Sequence, residues 1–120
     1  MGMRWLVDGM NLIGSRPTGW WRDRPAAMRE LVEELEAFAT ATGEPVTVVF
    51  DGRPFEIDEG PVEVVFASRR GPDAADDDIA RLARAGVRVV TSDRRLADRA
   101  RAAGAELESV GAFHRRLESR

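Results

Sequence analysis

Three aspartates in this chain stand directly behind short apolar runs. Asp8 follows Trp5-Leu6-Val7, Asp51 follows Val46 to Phe50, and Asp93 follows Val87 to Thr91 and Ser92. A fourth, Asp76, opens a stretch with helical spacing. Continuous runs rich in valine are the pattern of strands buried on both faces of a parallel sheet. In open α/β sheets, ligands bind beyond the carboxyl ends of the strands. The four carboxylates are therefore expected to approach one cleft. Two carboxylates about 4 Å apart repel by roughly 4 kcal/mol at an effective dielectric near 20. A fold that gathers several either shares a proton among them or binds a cation, and hard oxygen ligands suit Mg²⁺ or Mn²⁺. Such an ion lowers the pKa of a coordinated water and stabilises the leaving oxygen of an in-line displacement, which is the chemistry of phosphodiester cleavage.

Each acidic residue also has a plainer reading. Asp8 and Asp51 can be turn formers. Asp76, Asp77 and Asp78 suit a helix N-terminus, at about 0.3–1 kcal/mol each. Ser92 or Asp93 can be an N-cap. Convergence of all four is what separates the two readings.

Phosphate chemistry also needs cations. Arg69, Arg70, Arg94 and Arg95 lie in the loops beside Asp76 and Asp93, and the planar guanidinium fork matches phosphate geometry. Surface solubility and pairing with the aspartates explain these arginines equally well. Trp20 and Trp21 stand among Arg16, Arg22 and Arg24. That loop either caps the core edge or stacks bases and contacts phosphates. His114 is the sole histidine and is expected on the exposed side of the last helix, so histidine-based acid–base catalysis is not expected. No lysine occurs anywhere in the chain. That excludes a P-loop, which needs Gly-Lys-Ser/Thr. It also weighs against receiver domains and haloacid-dehalogenase-like phosphatases, which rely on a lysine. A Toprim-like reading would want Asp-x-Asp where the chain has Thr91-Ser92-Asp93-Arg94.

The elements that must carry these residues follow from periodicity. Trp5 to Val7 is the first strand, with Gly9 letting the backbone turn and Asn11 pointing into the same crevice. Gly14 to Pro25 is a loop. Met28, Leu31, Val32, Leu35, Phe38 and Ala39 mark one helical face. Pro25 suits the first helical turn and Gly43 the end. Val46–Phe50 and Val62–Phe66 are strands, the latter with Glu63 as a sign of an edge. A helix runs from about Ala74 to Ala85, a fourth strand over Val87–Thr91, and a helix from Leu96 to Ala103. A short strand over Ala105–Leu107 and a helix through Val110, Phe113 and Leu117 complete the chain. This alternation is an α/β pattern with a mostly parallel sheet.

At 120 residues the chain is expected to be one domain, 1–120. It has no apolar run of the roughly 20 residues that a membrane span needs and no cysteine for a disulfide framework. A cytoplasmic protein is the expectation. The net charge of −3 argues against a generally basic protein that coats nucleic acid.

In their order along the chain, Asp8-Gly9-Met10-Asn11-Leu12-Ile13, Val48 to Gly52, Ala75-Asp76 followed by Ile79, and Val90 to Arg94 resemble the successive motifs of the YacP-like NYN domains. These belong to the PIN-like nuclease superfamily. The likeness runs from about Arg4 to Leu117, with Met10 where the family often has tyrosine. It implies a three-layer PIN-like domain with strand order 3-2-1-4-5 and a metal-dependent endoribonuclease site. Carried over by position, Asp8, Asp76 and Asp93 would be the catalytic residues and the ligands of Mg²⁺ or Mn²⁺. Asn11 and Asp51 match the accompanying polar positions; Ser92, as a phosphate contact, and Asp77 are further accessory candidates in this chain. Arg69, Arg70, Arg94, Arg95, Trp20 and Arg22 would bind RNA. A second copy of the chain or an RNA-processing protein would be a further partner. The alternative is a module that keeps the fold and binds RNA or a protein partner without catalysis.

Overall fold

A computed structural model describes residues 3–57, 60–67, 71 and 73–119. The first strand, β1, is Arg4–Asp8, and a one-and-a-half-turn helix, α1 (Gly9–Gly14), follows it without a gap. A single 3₁₀ turn covers Trp20–Arg22, then α2 runs over Arg24–Thr42. The remaining elements are β2 (Val46–Phe50), β3 (Val62–Phe66), α3 (Ala74–Leu82), β4 (Val87–Val90), α4 (Arg94–Ala102), β5 (Glu106–Glu108) and α5 (Val110–Ser119). The strands form one sheet in the order β3-β2-β1-β4-β5, and every neighbouring pair is parallel.

Local chemistry sets the element ends. The Asp23 carboxylate accepts the Ala26 N–H at 3.1 Å, and Pro25 occupies the first turn of α2, which needs no backbone donor there. Gly43, with φ 72°, closes the helix in the left-handed region. The six residues of α2 that periodicity assigned to one face are the six that are buried. Val46 to Phe50 are all buried, as a strand with covered faces requires. β3 lies at the sheet edge with Glu63 exposed.

The sheet divides the core into two layers. Trp5, Val7, Val46, Val48, Phe50 and Val90 pack with α1, α2 and α5 on one face. Leu6, Val49, Val87 and Val89 pack with α3 and α4 on the other. Trp5 locks the first layer: its ring lies 5.5 Å from Phe38 of α2 and 5.2 Å from Phe113 of α5. Truncating an aromatic at such a junction typically costs about 3–5 kcal/mol. Among the described residues no helix is long and apolar enough to cross a membrane.

Two segments differ from expectation. The residues after Asp8 are helical from Gly9 onward, and Trp20–Arg22 is a 3₁₀ turn within what periodicity marked as loop. Both elements are too short to show a hydrophobic period.

Candidate active site at the carboxyl edge of the sheet

Side chains alternate between the two faces of a strand. On β1, Trp5 and Val7 face the α1/α2/α5 layer and Leu6 faces α3/α4. Asp8 shares the parity of Leu6, so its carboxylate emerges on the α3/α4 side. The same count places Thr91, two beyond Val89, on that side, whereas Asp51, just past the end of β2, turns to Arg24 of α2. Asp76 lies in the first turn of α3, and Asp93 is the N-cap of α4. Sheet parity thus brings residues far apart in sequence to one rim.

Asp8 is 6% exposed. Its Oδ2 accepts the Thr91 hydroxyl at 3.0 Å, and Thr91 Oγ1 in turn accepts the Asp93 N–H at 3.1 Å. Thr91 is buried, so one hydroxyl ties the β1 carboxylate to the start of α4. A second tie runs in parallel: Asn11 Oδ1 accepts the Ser92 N–H at 2.8 Å. Burial pushes the Asp8 carboxyl up from 3.8 to about 6, with the charges of Asp76 and Asp93 adding to it and the Thr91 hydroxyl and the Asn11 backbone N–H opposing. The Asp76 carboxyl is raised as well, by burial first and then by Asp93, Asp73 and Asp51, with Arg99 opposing. Each carboxylate therefore lies within the field of the others.

The donors fit a hard divalent cation in kind: three carboxylates, one of them dehydrated, whose mutual repulsion a cation would relieve. Asp93 Oδ1 accepts the Leu96 N–H at 3.1 Å, and Oδ2 takes no bond from a described residue. Asp76 makes no hydrogen bond or ion pair with the described residues. The carboxylates nevertheless stand apart: among the described residues no group of three acidic or imidazole side chains is close enough to hold an ion as it stands.

Asp51 reaches the same rim but is joined to Arg24 Nη2 at 3.1 Å. Asp77 pairs with Arg99 at 2.9 Å, linking α3 to α4. Ser92 Oγ accepts the Val110 N–H at 3.2 Å, anchoring α5, so its hydroxyl already serves the fold. Arg94 and Arg95 are exposed on the first turn of α4. Arg69 and Arg70 lie outside the described residues. In the tryptophan pair, Trp20 packs partly against the core, whereas Trp21 is 61% exposed with the Arg22 guanidinium 5.9 Å from its ring centroid. His114 is half-buried, with Nε2 2.8 Å from Ser15 Oγ, in contrast to the exposed position expected of it. Gly9 takes no positive φ. A Cβ there would lie 2.5 Å from two ring carbons of Phe50, so close packing, not the turn, requires glycine.

Sequence reasoning missed Thr91 as a site residue. The available signal was its parity with Asp8 across the sheet, since a threonine ending a buried strand needs a partner for its hydroxyl.

The profile of the YacP-like NYN domain matches residues 5–120. Two crystal structures of Rae1 (YacP) from Bacillus subtilis are similar over 99% of this chain at 28% identity. The first, of a point mutant, has a TM-score of 0.82 with 76% of its chain covered; the second has 0.80 with 75% covered. No curated protein sequence matches significantly.

Proposed function

This chain belongs to the YacP-like NYN domain family, within the PIN-like nuclease superfamily, and from that premise we propose that it is a divalent-metal-dependent endoribonuclease. The observation that carries this reading is the convergence on buried Asp8 of the charges of Asp76 and Asp93, at the sheet edge where α/β folds bind ligands. Asp8, Asp76 and Asp93 would hold Mg²⁺ or Mn²⁺. When bound, that ion supplies charge stabilisation for an in-line displacement at phosphorus and activates the attacking water.

The chain's own residues do the rest. The Thr91 hydroxyl holds Asp8 in one rotamer and fixes its offset from Asp93. Asn11 keeps the β1–α1 and β4–α4 corners together. Arg94 and Arg95, exposed on the first turn of α4 next to Asp93, would contact the phosphates flanking the cut. Trp21, rather than Trp20, presents an exposed ring for base stacking, worth about 1–3 kcal/mol per base, with Arg22 beside it for a phosphate.

The test is cleavage of single-stranded RNA with Mn²⁺ by wild type and Asp8→Asn. Loss of cleavage in the variant is expected; equal rates would end the assignment. The spacing of the carboxylates favours a second reading, a module that binds RNA without cutting it. That reading expects RNA retention on a filter and no product with any divalent ion.

A further inference from the structure

A cleft of about 510 Å³ lies between α1, α5 and the β4–α4 corner. Its volume is that of a small-molecule site. Asn11 and Ser92 form one end of it. Asn11 lies three residues after Asp8, Ser92 immediately precedes Asp93, and the two are hydrogen-bonded to each other, so this end is formed by the two corners that carry Asp8 and Asp93. Ser15 and His114 line it as well, and Met10 and Val110 provide apolar wall.

Two glycines, Gly14 and Gly111, complete the lining. Both lie at helix ends, Gly14 closing α1 and Gly111 in the first turn of α5, where alanine remains the better helix former, by less than the ~1 kcal/mol of a helix interior. Neither takes a positive φ. A Cβ on Gly14 would be 3.9 Å from Trp20, and one on Gly111 would be 3.8 Å from Arg115, both ordinary contacts. Nothing inside the fold requires glycine at either place. What the two have in common is the cleft, which larger side chains would narrow.

The polar groups are arranged for reading rather than for attack. Ser15 Oγ donates to the Leu12 carbonyl at 2.7 Å. With its proton committed there, the hydroxyl, 2.8 Å from His114 Nε2, is matched by the tautomer that carries its proton on Nε2. The serine is therefore not activated as a nucleophile by this histidine, and the neutral ring keeps Nδ1 as an acceptor.

We propose that this cleft is a nucleotide subsite: it takes one unpaired base of single-stranded RNA next to the cleaved phosphodiester, with His114 and Ser15 as the residues that read the base. This rests on the ribonuclease reading above. An unstacked base is a flat apolar body with a polar edge, which matches bare glycine walls beside Met10 and Val110 and hydrogen-bonding groups beside them. A protein partner would call for a larger apolar face, and Trp21 is the sole large hydrophobic exposed among the described residues.

His114 is the only histidine in the chain, so its ring protons are an unambiguous NMR probe. Hexauridine and hexaadenosine RNA are titrated into the protein in EDTA, alongside an abasic hexamer of equal length. Cleavage of the same RNAs with Mn²⁺ is measured in parallel. The expected result is a saturable shift of the His114 ring protons with base-bearing RNA and none with the abasic strand. Gly111→Leu, which fills the cleft, should abolish the shift and raise KM about tenfold with kcat little changed. If that variant does not fold, the abasic comparison decides alone. An unmoved His114 in protein that still binds and cuts RNA would overturn the subsite and leave the ribonuclease intact. Wild type that neither binds nor cuts RNA would overturn both.

Discussion

Replacing Asp8 with asparagine should abolish function and stabilise the fold in one step. The Asp8 carboxyl is raised from 3.8 to about 6, chiefly by burial and then by its acidic neighbours. A shift of about 2 units at 1.4 kcal/mol each makes the ionised native state about 3 kcal/mol less stable than it would be with a neutral group. The sign follows from proton binding. The native state holds this proton more tightly than the unfolded chain, so the penalty is absent below about pH 4, grows between about pH 4 and 6, and is complete above 6. Asparagine keeps an acceptor for the Thr91 hydroxyl but brings two buried amide protons, which reduces the net gain to about 1–3 kcal/mol. For a chain of 120 residues, with an unfolding entropy of about 2.1 cal/mol/K per residue, that is roughly 4–12 °C in Tm. Thermal melts in EDTA at pH 4, 5, 6 and 7.5 read it directly. The difference between Asp8→Asn and wild type should be small at pH 4 and reach its plateau above pH 6. Adding Mn²⁺ at pH 7.5 should then raise the Tm of wild type and leave the variant unmoved. A variant that melts below wild type at pH 7.5, or a difference independent of pH, would show that Asp8 is not a strained buried charge.

Three further outcomes follow from the same geometry. Mn²⁺ affinity, followed by thermal shift, should weaken about tenfold per pH unit below about pH 6, because a proton on Asp8 competes with the ion; flat affinity from pH 7 to 5 would remove Asp8 from the ligand set. Thr91→Val leaves a buried carboxylate oxygen and the Asp93 N–H without their partner, so urea denaturation should show a loss of about 1–3 kcal/mol; the acid limb of the cleavage profile should move to higher pH, and Thr91→Ser should restore both. Gly9→Ala drives a methyl group into the Phe50 ring and should cost about 1–3 kcal/mol, partly recovered in the double variant with Phe50→Leu; additive losses would mean that the two positions do not meet.

Periodicity was informative where an element is long or wholly buried. The helical face from Met28 to Ala39 and the strand Val46–Phe50 appear in the structure with the same residues. The aspartates were legible as strand-end residues, and their order along the chain carried the family resemblance, from which the strand order came. Contacts between distant segments were not legible. Thr91 meets Asp8 across 83 positions and His114 meets Ser15 across 99. A pattern of faces says which side a residue occupies but not what stands opposite. The same holds for Trp20 and Trp21. They are adjacent and identical, and only the packing of the 3₁₀ turn decides which ring is covered.

The alternation along β1 has an evolutionary consequence. The acids open toward α3 and α4, whereas the cleft that would choose the substrate belongs to α1 and α5 on the opposite layer. Substitutions on α1 and α5 can retune selectivity without replacing any of the acids, which stand on β1, α3 and the start of α4. A lineage built this way could change which strand it binds while leaving the acids where they are.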